Sequence, residues 1–252
     1  MNTPRPLTRL LAFAMLIFAY QQSMGAVPVT QVKTRVLFIG NSYTNGIRTI
    51  LSNMLRKQRL VADVDFLAPG GKTLAWHAGH GALEKIRKGN YDIVVLQEQS
   101  QMPAYPGLKE PFIAAVKTLA KVVRERNGKP ILLMTWGRRD GDQRNRRLAP
   151  TFEKMQMLLG AGYRQAGREA KATVVPVGDV WWAIRRENLG LAKRMYQADG
   201  SHPSQLGAYV TALTVTCHLF DRQPKDLPVP QTVQLTEKEL QLIRAAVTKS
   251  KD

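Results

Sequence analysis

The chain has 252 residues, 44% of them hydrophobic, and its 37 Lys and Arg against 19 Asp and Glu give a formal net charge of +18. That size and apolar content suit one domain with a full core and exclude a disordered or fibrous chain, while a single cysteine, Cys217, excludes an internal disulfide. The basic residues are spread along the chain without interleaved aromatics or a nucleic-acid motif, so nucleic acid is not the expected partner; an anionic envelope or extracellular polymer, or simply a basic surface, fits better.

In chain order, the first segment reads as an export signal. Arg5 and Arg9 form a positive start, and Leu10 to Tyr20 is an almost unbroken apolar run. The run is too short for a bilayer, which takes roughly 20 apolar residues. Small residues Ser23 and Gly25 follow, so residues 1–25 are expected to be a signal peptide cut after Gly25 or Ala26, with an uncleaved anchor as the alternative. No later segment reads as a membrane span, and the expected location is secreted or periplasmic.

The body, residues 26–222, alternates apolar runs with amphipathic stretches, the pattern of a parallel sheet flanked by helices. Strands are expected at Thr34–Ile39, Val61–Leu67, Asp92–Leu96, Ile131–Thr135 and Thr173–Val177. Helices are expected at Ile47–Leu60, Pro111–Arg126, Pro150–Ala170 (Pro150 in the first turn), Val180–Glu187 and Ser204–Phe220. Cys217 sits in the last of these as a core residue. Residues 223–252 form a proline-containing linker and a final helix, which opens on the capping box Thr236-Glu237-Lys238-Glu239. The Arg138–Arg147 stretch, with five arginines, reads as a mobile loop after the fourth strand.

In an open parallel sheet, ligands bind beyond the carboxyl ends of the strands. Four segments with chemistry lie there. Gly40-Asn41-Ser42-Tyr43-Thr44 presents a serine at a helix start, where amides and the helix dipole can hold an oxyanion; a plain helix cap is equally compatible. Ala68-Pro69-Gly70-Gly71-Lys72-Thr73 lets backbone amides approach a ligand, or is a bare turn. Gln97-Glu98-Gln99-Ser100-Gln101 offers amide donors, or a strand end bonded to its own loop. Asp199-Gly200-Ser201-His202-Pro203 places a carboxylate three residues before an imidazole that it can orient.

Together and in this order, the four segments resemble the blocks of the SGNH hydrolases, the GDSL-like esterase and lipase superfamily. The similarity spans Val36 to about Phe220. The nearest pattern is a largely uncharacterised branch with Gln-Glu-Gln-Ser in the third block and Thr-Trp after the next strand, matched by Thr135-Trp136. The resemblance implies a three-layer α/β/α sandwich on a parallel sheet of about five strands, flavodoxin-like in plan. It implies Ser42 as nucleophile, His202 as general base and acid, and Asp199 as its orienter. The implied oxyanion hole joins the amides of Ser42 and Gly71 to a side-chain amide. The usual asparagine is absent, so Gln99 takes that place, with Gln97 as the alternative. Asn41, Gly70, Trp76 and Trp136 are the expected substrate-binding residues.

No metal or organic cofactor is expected. His77 and His80 form a His-x-x-His pair without the further ligands of a metal site. Trp181-Trp182 reads as packing, with sugar stacking as the alternative. The expected activity is serine ester hydrolysis, on a carbohydrate O-acetyl group. A lipid or lysophospholipid esterase, or a non-catalytic anionic-glycan-binding protein on the same scaffold, is the alternative. The arginine loop is a candidate for gating or attracting an anionic substrate.

Overall fold

Residue Val36 and its neighbours show how the layers arise. The structure, a computed structural model, describes residues 34–251; the expected signal peptide lies outside them. In β1 (Thr34–Ile39), Val36 and Phe38 face one core while Leu37 and Ile39 face another, so one strand feeds two hydrophobic layers. β1 pairs in parallel with β2 (Val61–Leu67) on one side and β3 (Ile93–Leu96) on the other. β4 (Lys129–Leu133) and β5 (Thr173–Val175) extend the sheet, giving the order β2-β1-β3-β4-β5.

Helix α1 (Ser42–Lys57) buries Ile47, Leu51, Met54 and Leu55, and each such side chain contributes about 2 kcal/mol through lost apolar exposure. It lies in the first layer with α6 (Val177–Glu187), α8 (Gln205–Phe220) and α9 (Glu237–Lys249). The second layer holds α2 (Leu74–Gly79), α3 (Ala82–Gly89), α4 (Lys109–Glu125) and α5 (Phe152–Ala170). A short α7 (Leu189–Arg194) follows α6. This is the expected three-layer α/β/α sandwich. The final helix has both halves of the expected capping box, and its Ile243 and Val247 reach the core. No helix among the described residues is long and apolar enough to cross a membrane.

Three local expectations need correction. Pro150 lies outside α5, because Thr151 caps that helix by accepting from the Lys154 amide at 3.2 Å. α8 likewise starts one residue later than expected, because Ser204 is its cap and not its first helical residue. The Arg138–Arg147 segment is not a loose loop but a pinned one. Asp142 is fully buried at its centre and accepts from Arg138 Nη1 (2.8 Å), Gln101 Nε2 (2.6 Å), Tyr105 Oη (2.8 Å) and Asn145 Nδ2 (2.9 Å). Burial opposes ionisation of Asp142, but these donors outweigh it and hold its carboxyl below the usual range.

Candidate active site

The sheet order reverses between β1 and β3, since the chain moves from β1 outward to β2 and then from β3 to β5. Such a switch point opens a crevice at the carboxyl ends of the strands. Ser42 follows β1, and Gln97 to Gln99 follow β3, so both border that crevice.

The chain turns from β1 into α1 at Asn41, which is the N-cap: its Oδ1 accepts from the Tyr43 amide at 3.2 Å. Ser42 is therefore the first helical residue, and its hydroxyl is free of the capping duty that the sequence left open. It meets His202 instead, with Ser42 Oγ 2.9 Å from Nε2. His202 Nδ1 lies 2.5 Å from Asp199 Oδ2. The second oxygen of Asp199 accepts from the backbone amides of Ser201 (2.9 Å) and His202 (3.0 Å). Burial works against ionisation of Asp199, but the bonds from His202 and these amides hold its carboxyl below the usual range. A carboxylate thus accepts from Nδ1–H, and Nε2 is left to accept the serine proton.

The loop carrying His202 is held on three sides. Gly200 O accepts from the Arg139 amide at 2.8 Å, and Ser201 O from Trp136 Nε1 at 3.1 Å. Ser201 Oγ and Tyr43 Oη are 2.6 Å apart. Gly46 in the first turn of α1 is needed here, because a Cβ would stand 2.9 Å from Pro203 Cγ. Tyr43 in turn stacks on Trp136 at 4.9 Å, and Trp136 on Trp181 at 4.1 Å. Trp136 is 1% exposed, so it supports the loop from behind and does not line a substrate cleft, correcting that expectation. Trp181 is packing, as read.

Asn41 also departs from its expected substrate-binding place. It is 3% exposed, and its Nδ2 donates to Lys72 O at 3.0 Å, tying the serine turn to the glycine loop. Gly71 sits in that loop at φ +70°, a left-handed conformation that favours glycine, with open space around it. Gly70 beside it is exposed. Among the described residues, the Ser42 and Gly71 amides have no protein acceptor. Trp76 is half-buried, stacked on His80 at 4.2 Å with Lys72 Nζ 5.0 Å from its ring centre.

The two glutamines separate cleanly. Gln97 is 1% exposed, and its Oε1 accepts from the Asn41 amide (3.1 Å), the Thr44 amide (3.2 Å) and Thr44 Oγ1 (2.8 Å). Its Nε2 donates to Glu98 O. Gln97 therefore buttresses the serine turn through Oε1 and is buried with one N–H of Nε2 on Glu98 O, which leaves the half-buried Gln99 as the more accessible donor. Gln99 is half-buried, and its Nε2 has only a long 3.4 Å contact to Gln101 Oε1.

Sequence reasoning did not give three groups here the parts they play. His77 is buried with Nε2 2.7 Å from Gly40 O, and burial lowers its pKa, so it holds the turn as a neutral ring. Glu98 is buried between the second and third loops. Tyr43 clamps the histidine loop. Their only sequence signal is a polar or aromatic residue beside a motif. A cavity of about 320 Å³ adjoins the site, lined by His202, Ser201, Gly200, Arg138, Asp140 and Arg144 among others.

A 2-1-3-4-5 parallel sheet with a Ser–His–Asp chain at its switch point defines the class of α/β hydrolytic proteins. No protein-family model and no curated protein matches the chain. Solved structures do. A candidate SGNH hydrolase from Slackia heliotrinireducens is 28% identical, over 73% of this chain and 97% of its own, with a TM-score of 0.61. A DUF4886 family protein from Bacteroides uniformis shares the fold at a TM-score of 0.73 and 16% identity, over 86% of this chain and 94% of its own. A catalytic mutant of an acetylxylan esterase from Geobacillus stearothermophilus shares it at 0.55 and 16% identity, over 76% and 97%. In fold and in the order of its site segments the chain is similar to the SGNH hydrolases.

Proposed function

We propose that the protein is an exported serine esterase that removes an O-acetyl group from a carbohydrate through an acyl-enzyme. The observation that carries this reading is the unbroken chain from Ser42 Oγ through His202 to Asp199, at 2.9 Å and 2.5 Å. His202 Nε2 takes the serine proton as Ser42 Oγ attacks the ester carbonyl carbon. The oxyanion is held by the amides of Ser42 and Gly71 and by Gln99 Nε2. When the carbon–alkoxy bond breaks, His202 returns the proton to the leaving alcohol. Water, deprotonated by the same nitrogen, then attacks the acyl-serine, and the acid leaves as His202 returns that proton to Ser42 Oγ.

Polarity favours a sugar over a lipid: the cavity beside His202 is bordered by arginine, aspartate and glycine, not by apolar side chains. The acetylxylan esterase with the same fold agrees with an acetyl substrate. Export rests on the N-terminal pattern of Arg5, Arg9 and the Leu10–Tyr20 run. A fluorophosphonate is expected to label Ser42 stoichiometrically, and p-nitrophenyl acetate to be cleaved faster than its octanoyl counterpart. A preference for the longer chain would move the substrate to lipids. Folded protein that neither labels nor releases acetate would be a binding protein instead.

Charge around the cavity refines the substrate. Asp140 is paired with Arg139 at 2.8 Å and Asp199 with His202, whereas Arg144 has no carboxylate partner among the described residues. An acetylated glycan bearing carboxylates is therefore the preferred substrate. Arg144→Glu is expected to lower kcat/KM on an acetylated polyuronate roughly tenfold more than on acetylated neutral xylan, with the difference fading at high salt. Equal losses on both polymers would remove the anion preference.

A further inference from the structure

Glu98 is a buried carboxylate without a cation. It is 0% exposed and forms no ion pair among the described residues. Burial raises its pKa to about 7, against the pull of its amide donors. A group this costly to bury needs compensation from good hydrogen bonds. Three contacts supply it. The Leu74 amide lies 3.2 Å from each carboxylate oxygen, and the Gln99 amide donates to Oε1 at 2.6 Å. The Glu98 amide donates to Tyr163 Oη at 3.3 Å, which anchors the residue to α5.

These partners are informative. Leu74 is the first residue of α2, three positions after Gly71. Gln99 carries the one loosely held side-chain amide of the third loop. A single carboxylate thus ties the loop that presents the Gly71 amide to the loop that presents Gln99. Helix α2 does not need Glu98 as its cap, because Thr73 already accepts from the Trp76 amide at 3.1 Å. The fold alone gives no reason for a buried acid here; the spacing of two donors does.

We propose that Glu98 is a positioning residue that sets the oxyanion hole by holding the Leu74 and Gln99 amides on one carboxylate. The proposal rests on the esterase reading of Ser42. In Glu98→Met, which fills the space but accepts no hydrogen bond, kcat for p-nitrophenyl acetate is expected to fall roughly 10²-fold with KM within about threefold. Affinity for a trifluoromethyl ketone, whose serine adduct places an oxyanion in the hole, should fall in parallel with kcat. Glu98→Gln keeps one acceptor oxygen and should lie between the two. It also serves as the test protein if the Met variant does not fold.

Amide hydrogen exchange separates the failures. Leu74 and Gln99 should lose protection in the variants while the β1 and β3 amides keep theirs. Wild-type protection of Leu74 and Gln99 in a folded variant overturns the clamp whatever the activity. Lost protection with unchanged kcat overturns its role in the hole. A wild-type protein that turns over no ester removes the esterase reading itself, and the oxyanion role with it.

Discussion

Ser42→Ala is expected to lower kcat for acetyl esters by roughly 10⁴- to 10⁶-fold, the range seen when the nucleophile of a Ser–His–Asp triad is removed. His202→Ala should cost a similar amount, because an unassisted serine is a weak nucleophile and the two act as one unit. The Ser42 variant should melt close to the wild-type temperature. Asn41, not Ser42, caps α1, so no helix cap is lost with the hydroxyl. That combination, lost turnover with retained stability, separates a nucleophile from a cap. Cys217→Ser is the matching control and should keep turnover. Cys217 is fully buried in α8, and burial pushes its thiol up to about 12, so no thiolate forms near neutral pH. Kinetics on p-nitrophenyl acetate with thermal melts of the same samples decide the matter. Turnover surviving in Ser42→Ala, or lost only in Cys217→Ser, would end the assignment.

What the chain disclosed on its own follows the range of the interactions concerned. β1 was legible to the residue as a buried apolar run, and β2, at the sheet edge, as an alternation of apolar and polar residues. Asp199 and His202 were legible because the orienting bond spans only three positions. The cores of the long helices showed in their spacing, while α2 and α3, six and eight residues long, have too few turns to build a periodic signal. The misread residues are those whose partners are remote. The polar Arg138–Arg147 segment looks mobile until Gln101 and Tyr105 are seen on Asp142. Trp136 looks like a pocket residue until Tyr43 and Trp181 close over its two faces. Asn41 looks available to substrate until its amide is found on Lys72 O. The same non-locality hid Glu98, whose carboxylate meets an amide 24 positions back in the chain. Motif spacing therefore carried the candidate nucleophile and base, and tertiary packing decides the donors around them.

The two glutamines bring that distinction to a measurement. Gln97→Ala should destabilise the protein by roughly 3 kcal/mol or more, since it leaves the Asn41 amide, the Thr44 amide and Thr44 Oγ1 buried without their acceptor. For a domain of this size that is a fall in Tm of about 6–12 °C. Its kcat should drop as well, because the turn it supports carries Ser42. Gln99→Ala should behave differently. Its side chain is half-buried, and its loss removes one strong bond, the 2.8 Å contact from the Gln101 amide, for about 1 kcal/mol. Its kcat should nevertheless fall roughly 10²-fold at nearly constant KM, the mark of a donor used in the transition state and not in the ground state. Urea denaturation and steady-state kinetics on both variants give the contrast directly. A Gln99→Ala enzyme with wild-type kcat, beside a Gln97→Ala enzyme that keeps its stability and loses kcat, would reassign the donor. The donor would then be the second N–H of Gln97 Nε2, the one not committed to Glu98 O.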